Sequence, residues 1–205
     1  MVINPPELGP LEAYKLATSL IVPRPIAWVG TRTRDGVDNL APFSYFMGVS
    51  TQPPAIAISV ARGRRGQVPE LKDTAANILA TEMFTVSVVS FKSVESMVAS
   101  GQPWPPEVSE FEAVGIPLVD ADTVDAPRPA SALATMECRL VHAHDMGNTH
   151  LLVGEVIRYH LDDRVVRMDA RGHRVVDLDT LDPVGRLGGF DYCRVRDPFE
   201  VKAQK

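Results

Sequence analysis

Two stretches of this chain carry residue types suited to binding a ligand rather than to filling a core. The first runs Asp35-Gly36-Val37-Asp38-Asn39-Leu40-Ala41-Pro42-Phe43-Ser44-Tyr45-Phe46 and on to Ser50, Pro53 and Pro54. It holds small, hydroxyl and aromatic residues where a core strand would show aliphatic ones. Proline removes a ladder donor, so Pro42 marks an edge strand or a bulge. Such an edge leaves N–H and C=O groups free for a planar heterocycle, with Phe43 or Tyr45 packed on it. A plain edge strand shielded by proline accounts for the same residues.

The second stretch is Arg62-Gly63-Arg64-Arg65-Gly66, followed by Lys72-Asp73-Thr74. Arg and Lys supply charge-assisted donors. A helix starting near Thr74 offers unpaired N–H groups and the favourable end of its dipole to an anion. Together they form a phosphate candidate, although no Gly-Lys-Ser/Thr closes a Walker loop. A solvated basic loop before an ordinary capped helix satisfies the same pattern. Cys138, His142, His144, Asp145 and His150 invite a metal reading, but no tight zinc spacing is present. Surface histidines beside a hairpin turn are the simpler account, and no metal is expected. His150 stands apart because it follows Gly147-Asn148-Thr149 at a strand start, where it can reach a ligand.

These residues must be positioned by strands. Apolar spacing predicts a short helix over Leu11 to Leu20, ended by Pro23 and Pro25. Ile26 to Thr33 reads as a strand, Asp35-Gly36 as a tight turn, and Asn39 to Ser50 as the returning run. Ala55 to Val60 is a buried strand. Asp73 or Thr74 can cap a helix from Ala75 to about Ala80. Met83 to Ser90 is a further strand, Ser93 to Ala99 a short helix, and Val108 to Val114 a helical turn. Pro117, Pro127 and Pro129 mark a loop. Ala132 to His144 and Thr149 to Leu161 form a hairpin about Asp145-Met146-Gly147-Asn148. Val165 to Met168 is a short strand, and Leu187 to Tyr192 reads as loop. Tight connections between neighbouring strands predict a mainly β fold, an antiparallel barrel with short helical insertions. Regular βαβ alternation is missing, which argues against a doubly wound sheet.

Composition narrows the function. A chain of 205 residues, 45% hydrophobic, can bury a sizeable core, and residues 1–205 are expected to form a single domain. A net charge of -5 argues against a nucleic-acid surface. Cys138 and Cys193 are too few for a disulfide framework and suggest a reducing compartment. No signal peptide and no apolar run of membrane-helix length are visible, so a soluble cytoplasmic protein without membrane contact is expected. No Gly-x-Ser-x-Gly elbow occurs, and Gly185-Arg186-Leu187-Gly188-Gly189 lacks dinucleotide spacing.

Five motifs in order then carry a resemblance. They are Arg24-Pro25-Ile26-Ala27-Trp28, then Asp35-Gly36 with Asn39 to Ser44, then Ser50 with Pro53-Pro54, then Lys72-Asp73-Thr74 with Asn77-Ile78, and finally Gly147-Asn148-Thr149-His150 with Gly154-Glu155-Val156. Their order resembles the flavin reductase-like, FMN-binding split-barrel family, over roughly Ala13 to Tyr192. The resemblance implies a split antiparallel β-barrel, a homodimer, and FMN near the subunit interface. It implies that Pro42, Phe43, Ser44 and Tyr45 line the flavin and ribityl chain. Arg62, Lys72 and Thr74 would hold the phosphate, assisted by Asn77. His150 would come near the isoalloxazine or the nicotinamide, as the residue closest to catalysis. The segment from Gly101 to Pro129 would form a lid or part of the dimer contact. The implied activity is that of an NAD(P)H-dependent flavin reductase, passing hydride from nicotinamide to flavin. Its reduced flavin would supply a partner oxygenase or another electron acceptor. The alternatives are a flavoredoxin-like FMN electron-transfer protein without nicotinamide activity, and a metal or small-ligand barrel without flavin.

Overall fold

The computed structural model describes residues 1–65 and 68–201, and its main sheet has seven antiparallel strands. They are β1 (Ala27–Arg32), β2 (Asp38–Phe43), β3 (Phe46–Thr51), β4 (Pro54–Ala61), β5 (Met83–Val88), β6 (Ala134–Met146) and β7 (Thr149–Leu161). Their order across the sheet is β2-β1-β5-β6-β7-β4-β3. The two edge strands are therefore neighbours in sequence. Only Ser44 and Tyr45 join them, so the sheet must curl until its edges approach. The Ser59 N–H donates to the Tyr45 carbonyl at 2.9 Å, extending the β3–β4 pairing by one residue toward that seam. Among the described residues no ladder pairs β2 with β3. The barrel closes there without strand pairing, which makes it a split barrel.

This closure corrects the expectation of one returning run from Asn39 to Ser50. The run is two strands at opposite edges of the sheet. Phe43 still pairs with Ala27 of β1, and Phe46 already pairs with Ile58 of β4.

Four helices bear on the site: α1 (Pro10–Leu20), α2 (Asp73–Thr81), α3 (Val94–Ser100) and α4 (Glu110–Val114). The sheet is covered on both faces. Ala27 and Val29 point inward, where they join Ile58, Val60, Phe84, Val86 and Leu152, with Ala75 and Ile78 of α2 packed among them. Ile26 and Trp28 point outward against Leu40, Met97 of α3 and Phe111 of α4. Burial on both faces explains why β1 reads as a continuous apolar run rather than an alternation. The Trp28 indole N–H also donates to Ser100 Oγ at 2.9 Å, tying the end of α3 to the sheet.

The segment after α4 is more ordered than a loop. Leu118–Asp120 pairs with Pro127–Pro129, and the Thr85 hydroxyl donates to the Pro127 carbonyl at 2.6 Å. Glu137, fully buried in β6, holds the connection between them. It accepts the N–H groups of Asp122 and Thr123 at 2.8 Å and of Val124 at 3.2 Å. The Thr123 hydroxyl and His160 Nε2 also bond to it. Burial alone would push the Glu137 carboxyl up. The Thr123 hydroxyl, His160 and the two backbone donors outweigh burial and hold it down to about 2. Asp122, Glu137 and His160 lie close enough to hold a metal ion. Five donors already occupy the carboxylate, however, so its role is that of an anchor.

The tail also differs from the sequence expectation. Arg24–Pro25, Val184–Arg186 and Tyr192–Arg194 form a separate three-stranded sheet around the predicted loop. These strands are too short to carry a visible period. Among the described residues no helix is long and apolar enough to cross a membrane.

Candidate functional site

A cleft of about 610 Å³ opens between β2, the start of α2 and the loop that follows α3. Asn39, Ala41, Pro42 and Phe43 line one wall, and Lys72, Asp73 and Thr74 line another. Gln102, Pro103, Trp104 and Pro106 complete it. The two ligand-type stretches of the sequence therefore meet in one cavity. The first part of the predicted lid, Gly101 to Pro106, forms its third wall.

The helix beside this cleft begins earlier than expected. Lys72 is the N-cap and α2 starts at Asp73, without a side-chain cap. The Thr74 hydroxyl instead donates to Asn39 Oδ1 at 2.9 Å. The Thr31 hydroxyl donates to the same oxygen at 3.2 Å and accepts the Asn77 amide at 3.0 Å. The Asn39 amide in turn donates to Glu110 Oε1 at 2.7 Å. Thr31, Asn39, Thr74, Asn77 and Glu110 are all buried. This network joins β1, β2, α2 and α4 beneath the cleft. Thr74 and Asn77, expected at the phosphate, thus have their side chains directed into the scaffold. What the start of α2 offers an anion is its first-turn N–H groups, which have no intrahelical acceptor.

The edge of β2 is also specific. The Leu40 N–H points away from β1 and donates to Glu110 Oε2 at 2.9 Å. Pro42, two residues on and facing the same way, has no N–H. At these two positions the open edge therefore offers carbonyl acceptors, not the mixture of donors and acceptors the sequence suggested. Burial raises the Glu110 carboxyl above its ordinary pKa, against the lowering by the Leu40 N–H, and the charge of Asp73 adds to the rise. Among the described side chains lining the cleft, Lys72 is the cation facing Glu70, Asp73 and Glu110.

The remaining expected residues lie elsewhere. Ser44 and Tyr45 line a smaller hollow of about 300 Å³ with Ile21, Arg24 and Met47. Arg24 is buried and spends its guanidinium on the carbonyls of Thr18, Ile21 and Leu187 and on Ser44 Oγ. Arg62, expected at the phosphate, is ion-paired through Nη2 with Asp145 at 3.2 Å. Gly66 and the side chains of Arg64 and Arg65 lie outside what the structure describes. His150 sits on the inward face of β7, directly opposite Asp145 across the hairpin. Its Nδ1 is 2.5 Å from Asp145 Oδ1, and its Nε2 is buried with no hydrogen-bond partner. His142 and His144 stack on each other on the exposed hairpin end, and Cys138 is buried in the core.

The profile of the flavin reductase like domain matches residues 19–175. The chain belongs to the flavin reductase-like family. Its fold is similar to that of nitrilotriacetate monooxygenase component B from Bacillus cereus, with 31% identity, a TM-score of 0.88 and 98% of each chain covered. It is similar to 2-nitrobenzoate 2-nitroreductase NbaA of Pseudomonas fluorescens, with 32% identity, a TM-score of 0.86, and 100% of this chain and 96% of that one covered. The flavoredoxin of Desulfovibrio vulgaris (Miyazaki F) shares 25% identity at a TM-score of 0.73, covering 89% of this chain and 92% of that one.

For this flavin reductase-like chain, sequence reasoning placed Gln102, Trp104 and Glu110 inside the expected lid or dimer segment, Gly101 to Pro129, but gave none of them a role of its own at the site. Nothing in their spacing signals it, because they reach β2 only through the packing of α3 and α4. Asp145 was visible as a turn residue and beside His150 in the metal reading, but not as the partner of that histidine. The strand period on either side of Gly147-Asn148 would have paired it with His150.

Proposed function

We propose that the protein is an FMN-binding, NAD(P)H-dependent flavin reductase that works as a homodimer and hands reduced flavin to a partner oxygenase or another acceptor. The observation that carries this reading is the shared cleft. Residues of an open strand edge and of a helix start, far apart in sequence, line one cavity large enough for a flavin. The chain fits the cofactor in three respects. The first-turn N–H groups of α2 and the Lys72 ammonium suit a phosphate. The carbonyls on the β2 edge suit an imide N–H, and Pro42 and Phe43 suit an aromatic ring. The orphaned Nε2 of His150 is a buried polar atom that a ligand would satisfy, since such a group left alone costs about 1–3 kcal/mol.

A flavin held there would supply the hydride chemistry. The chain's own task is to hold two rings face to face and exclude water. Lys72 and the start of α2 take the phosphate, while Thr74 and Asn77 fix the position of that helix through the Asn39 network. Ser44 and Tyr45, in the neighbouring hollow, would be reached only by a part of the cofactor extending beyond the cleft. Arg62 belongs with Asp145 at the His150 end.

A homodimer is favoured by apolar side chains left in solvent. Leu11, Tyr14 and Leu20 of α1 are exposed, as are Tyr45, Met47 and Val49 at and along β3. Ile21, Tyr45 and Met47 border the same hollow, which joins the two rows. Exposed apolar rows of this kind mark protein interfaces. The two free thiols favour a reducing, cytoplasmic setting, and the whole chain is taken as one domain.

The test is direct. Purified protein supplied with FMN should oxidise NADH or NADPH faster than an FMN blank. Protein that retains FMN through gel filtration yet ignores both nicotinamides would favour the electron-transfer role of its flavoredoxin neighbour. Protein that neither binds FMN nor quenches its fluorescence sinks both readings.

A further inference from the structure

The hairpin end of the β6–β7 pair carries an arrangement that the flavin reductase reading does not itself require. His150 is 7% exposed, and each of its ring nitrogens has a distinct environment. Nδ1 faces the Asp145 carboxylate at 2.5 Å. A carboxylate only accepts, so any hydrogen bond formed across this contact places the proton on Nδ1. In the neutral ring Nε2 is then left as an acceptor, and it is the atom that is buried without a partner.

A carboxylate exposed at a hairpin tip would ordinarily sample several rotamers, and a surface pair of this kind is weak. Asp145 is held from two sides. The guanidinium of Arg62 lies 3.2 Å from Oδ2, while His150 takes Oδ1. The backbone reinforces this, because the Arg62 N–H donates to the Asn148 carbonyl at 2.8 Å, locking the end of β4 to the hairpin turn. Asp145 and His150 are also direct register partners.

We propose that Asp145 is a positioning residue. Pinned by Arg62, it holds His150 in the Nδ1–H tautomer, so that Nε2 meets the bound ligand as an acceptor for an amide-type N–H. This rests on the reading above, in which a bound ligand satisfies the buried Nε2 of His150. The imide N–H of flavin and the carboxamide of nicotinamide share that donor chemistry. A charged Arg–Asp pair serves this purpose better than a neutral partner, because it accepts strongly and cannot present a proton to Nδ1.

Nitrogen NMR of histidine-labelled protein tests the proposal without turnover. In wild type with a neutral ring, Nδ1 of His150 should appear protonated and Nε2 unprotonated. Asp145→Ala should give a mixed tautomer population, whereas Asp145→Asn, whose amide oxygen still accepts, should keep most of the Nδ1–H form. Addition of FMN alone should move the Nε2 resonance if the flavin imide is the donor. Movement only on adding NADH to the FMN-loaded protein assigns the nicotinamide carboxamide. Steady-state rates add a second readout: Asp145→Ala should raise KM for the nicotinamide about tenfold, the value of one hydrogen bond, with a smaller change in kcat and recovery in Asp145→Asn. A wild-type ring protonated on Nε2, an unchanged tautomer in Asp145→Ala, or an Nε2 resonance indifferent to both ligands overturns the proposal. Absence of nicotinamide oxidation, with Nε2 still responding to FMN, overturns the reductase reading and leaves the role of Asp145 standing.

Discussion

Replacing Asn39 by Ala tests whether the polar network beneath the cleft positions the start of α2. The side chain makes three bonds: it accepts from the Thr31 and Thr74 hydroxyls at 3.2 and 2.9 Å and donates to Glu110 at 2.7 Å. All three partners are buried, Thr31 completely. Alanine leaves two hydroxyl protons without acceptors at about 1 kcal/mol each, and removes a bond to an ionisable carboxyl worth about 1.5–2 kcal/mol. Glu110 keeps the Leu40 N–H, so its whole desolvation cost is not exposed. The expected loss is about 3.5–4 kcal/mol, which lowers Tm by about 7–16 °C for a chain of this size. Circular dichroism melts measure the stability, and fluorescence titration of FMN measures the site. FMN affinity should fall about tenfold at a temperature where the variant is fully folded, a loss of one hydrogen bond's worth of positioning. Asn39→Asp supplies a control. It keeps both hydroxyl bonds but sets a carboxylate beside Glu110, so its deficit should shrink as pH falls and one of the pair is protonated. A Tm within about 2 °C of wild type refutes the network's structural weight. A lowered Tm with unchanged FMN affinity refutes its role in the site.

Lys72→Ala should weaken FMN binding about five- to thirtyfold, with little change in Tm and a flatter dependence of affinity on salt, since an exposed ammonium contributes chiefly through charge; an unaltered binding isotherm returns Lys72 to a solvated face. Two buried carboxylates should shape stability against pH with opposite sign. Glu137 is held down to about 2 from an ordinary 4.5, so its contribution is present above 4.5 and lost as pH falls toward 2, and the deficit of Glu137→Gln should shrink over that window. Glu110 is raised, so its contribution is full below the ordinary carboxylate range and lost as pH rises through the raised value. Denaturant melts of Glu110→Gln should therefore move in the variant's favour, relative to wild type, as pH increases. Gly30→Ala should destabilise severely, because its Cβ would lie 2.1 Å from the Pro127 carbonyl oxygen; a melt near wild type would mean that the Leu118–Pro129 flap is free to shift. Met47→Glu should yield monomer by light scattering, and an unchanged dimer would move the interface away from β3.

Much of the fold was legible. The Ile26 to Thr33 run, the Asp35-Gly36 turn, the Ala55 to Val60 strand and the long hairpin all follow from local apolar patterns and turn chemistry, and they reappear within a residue or two. Pro42 announced an edge because a missing N–H is a local fact. The break at Ser44-Tyr45 was not legible, since each half looks extended and only the barrel's curvature assigns them to opposite edges. The short strands at Arg24, Val184 and Tyr192 hold no period, and they exist only because they find one another.

The candidate site divides in the same way. Sequence alone determined which residue types are available: a proline-marked edge, a lysine before a helix start, and a histidine at a strand start. It also ordered the motifs that identify the family. Tertiary structure decided what those residues do. It turned Thr74 and Asn77 into the scaffold, gave the Leu40 N–H to Glu110, and paired Arg62 and His150 through Asp145. The reason is that hydrogen-bond partners are chosen by distance after folding. A side chain offers the same donors and acceptors in any sequence context, and only packing determines which of them are already taken and which, like Nε2 of His150, are left for a ligand.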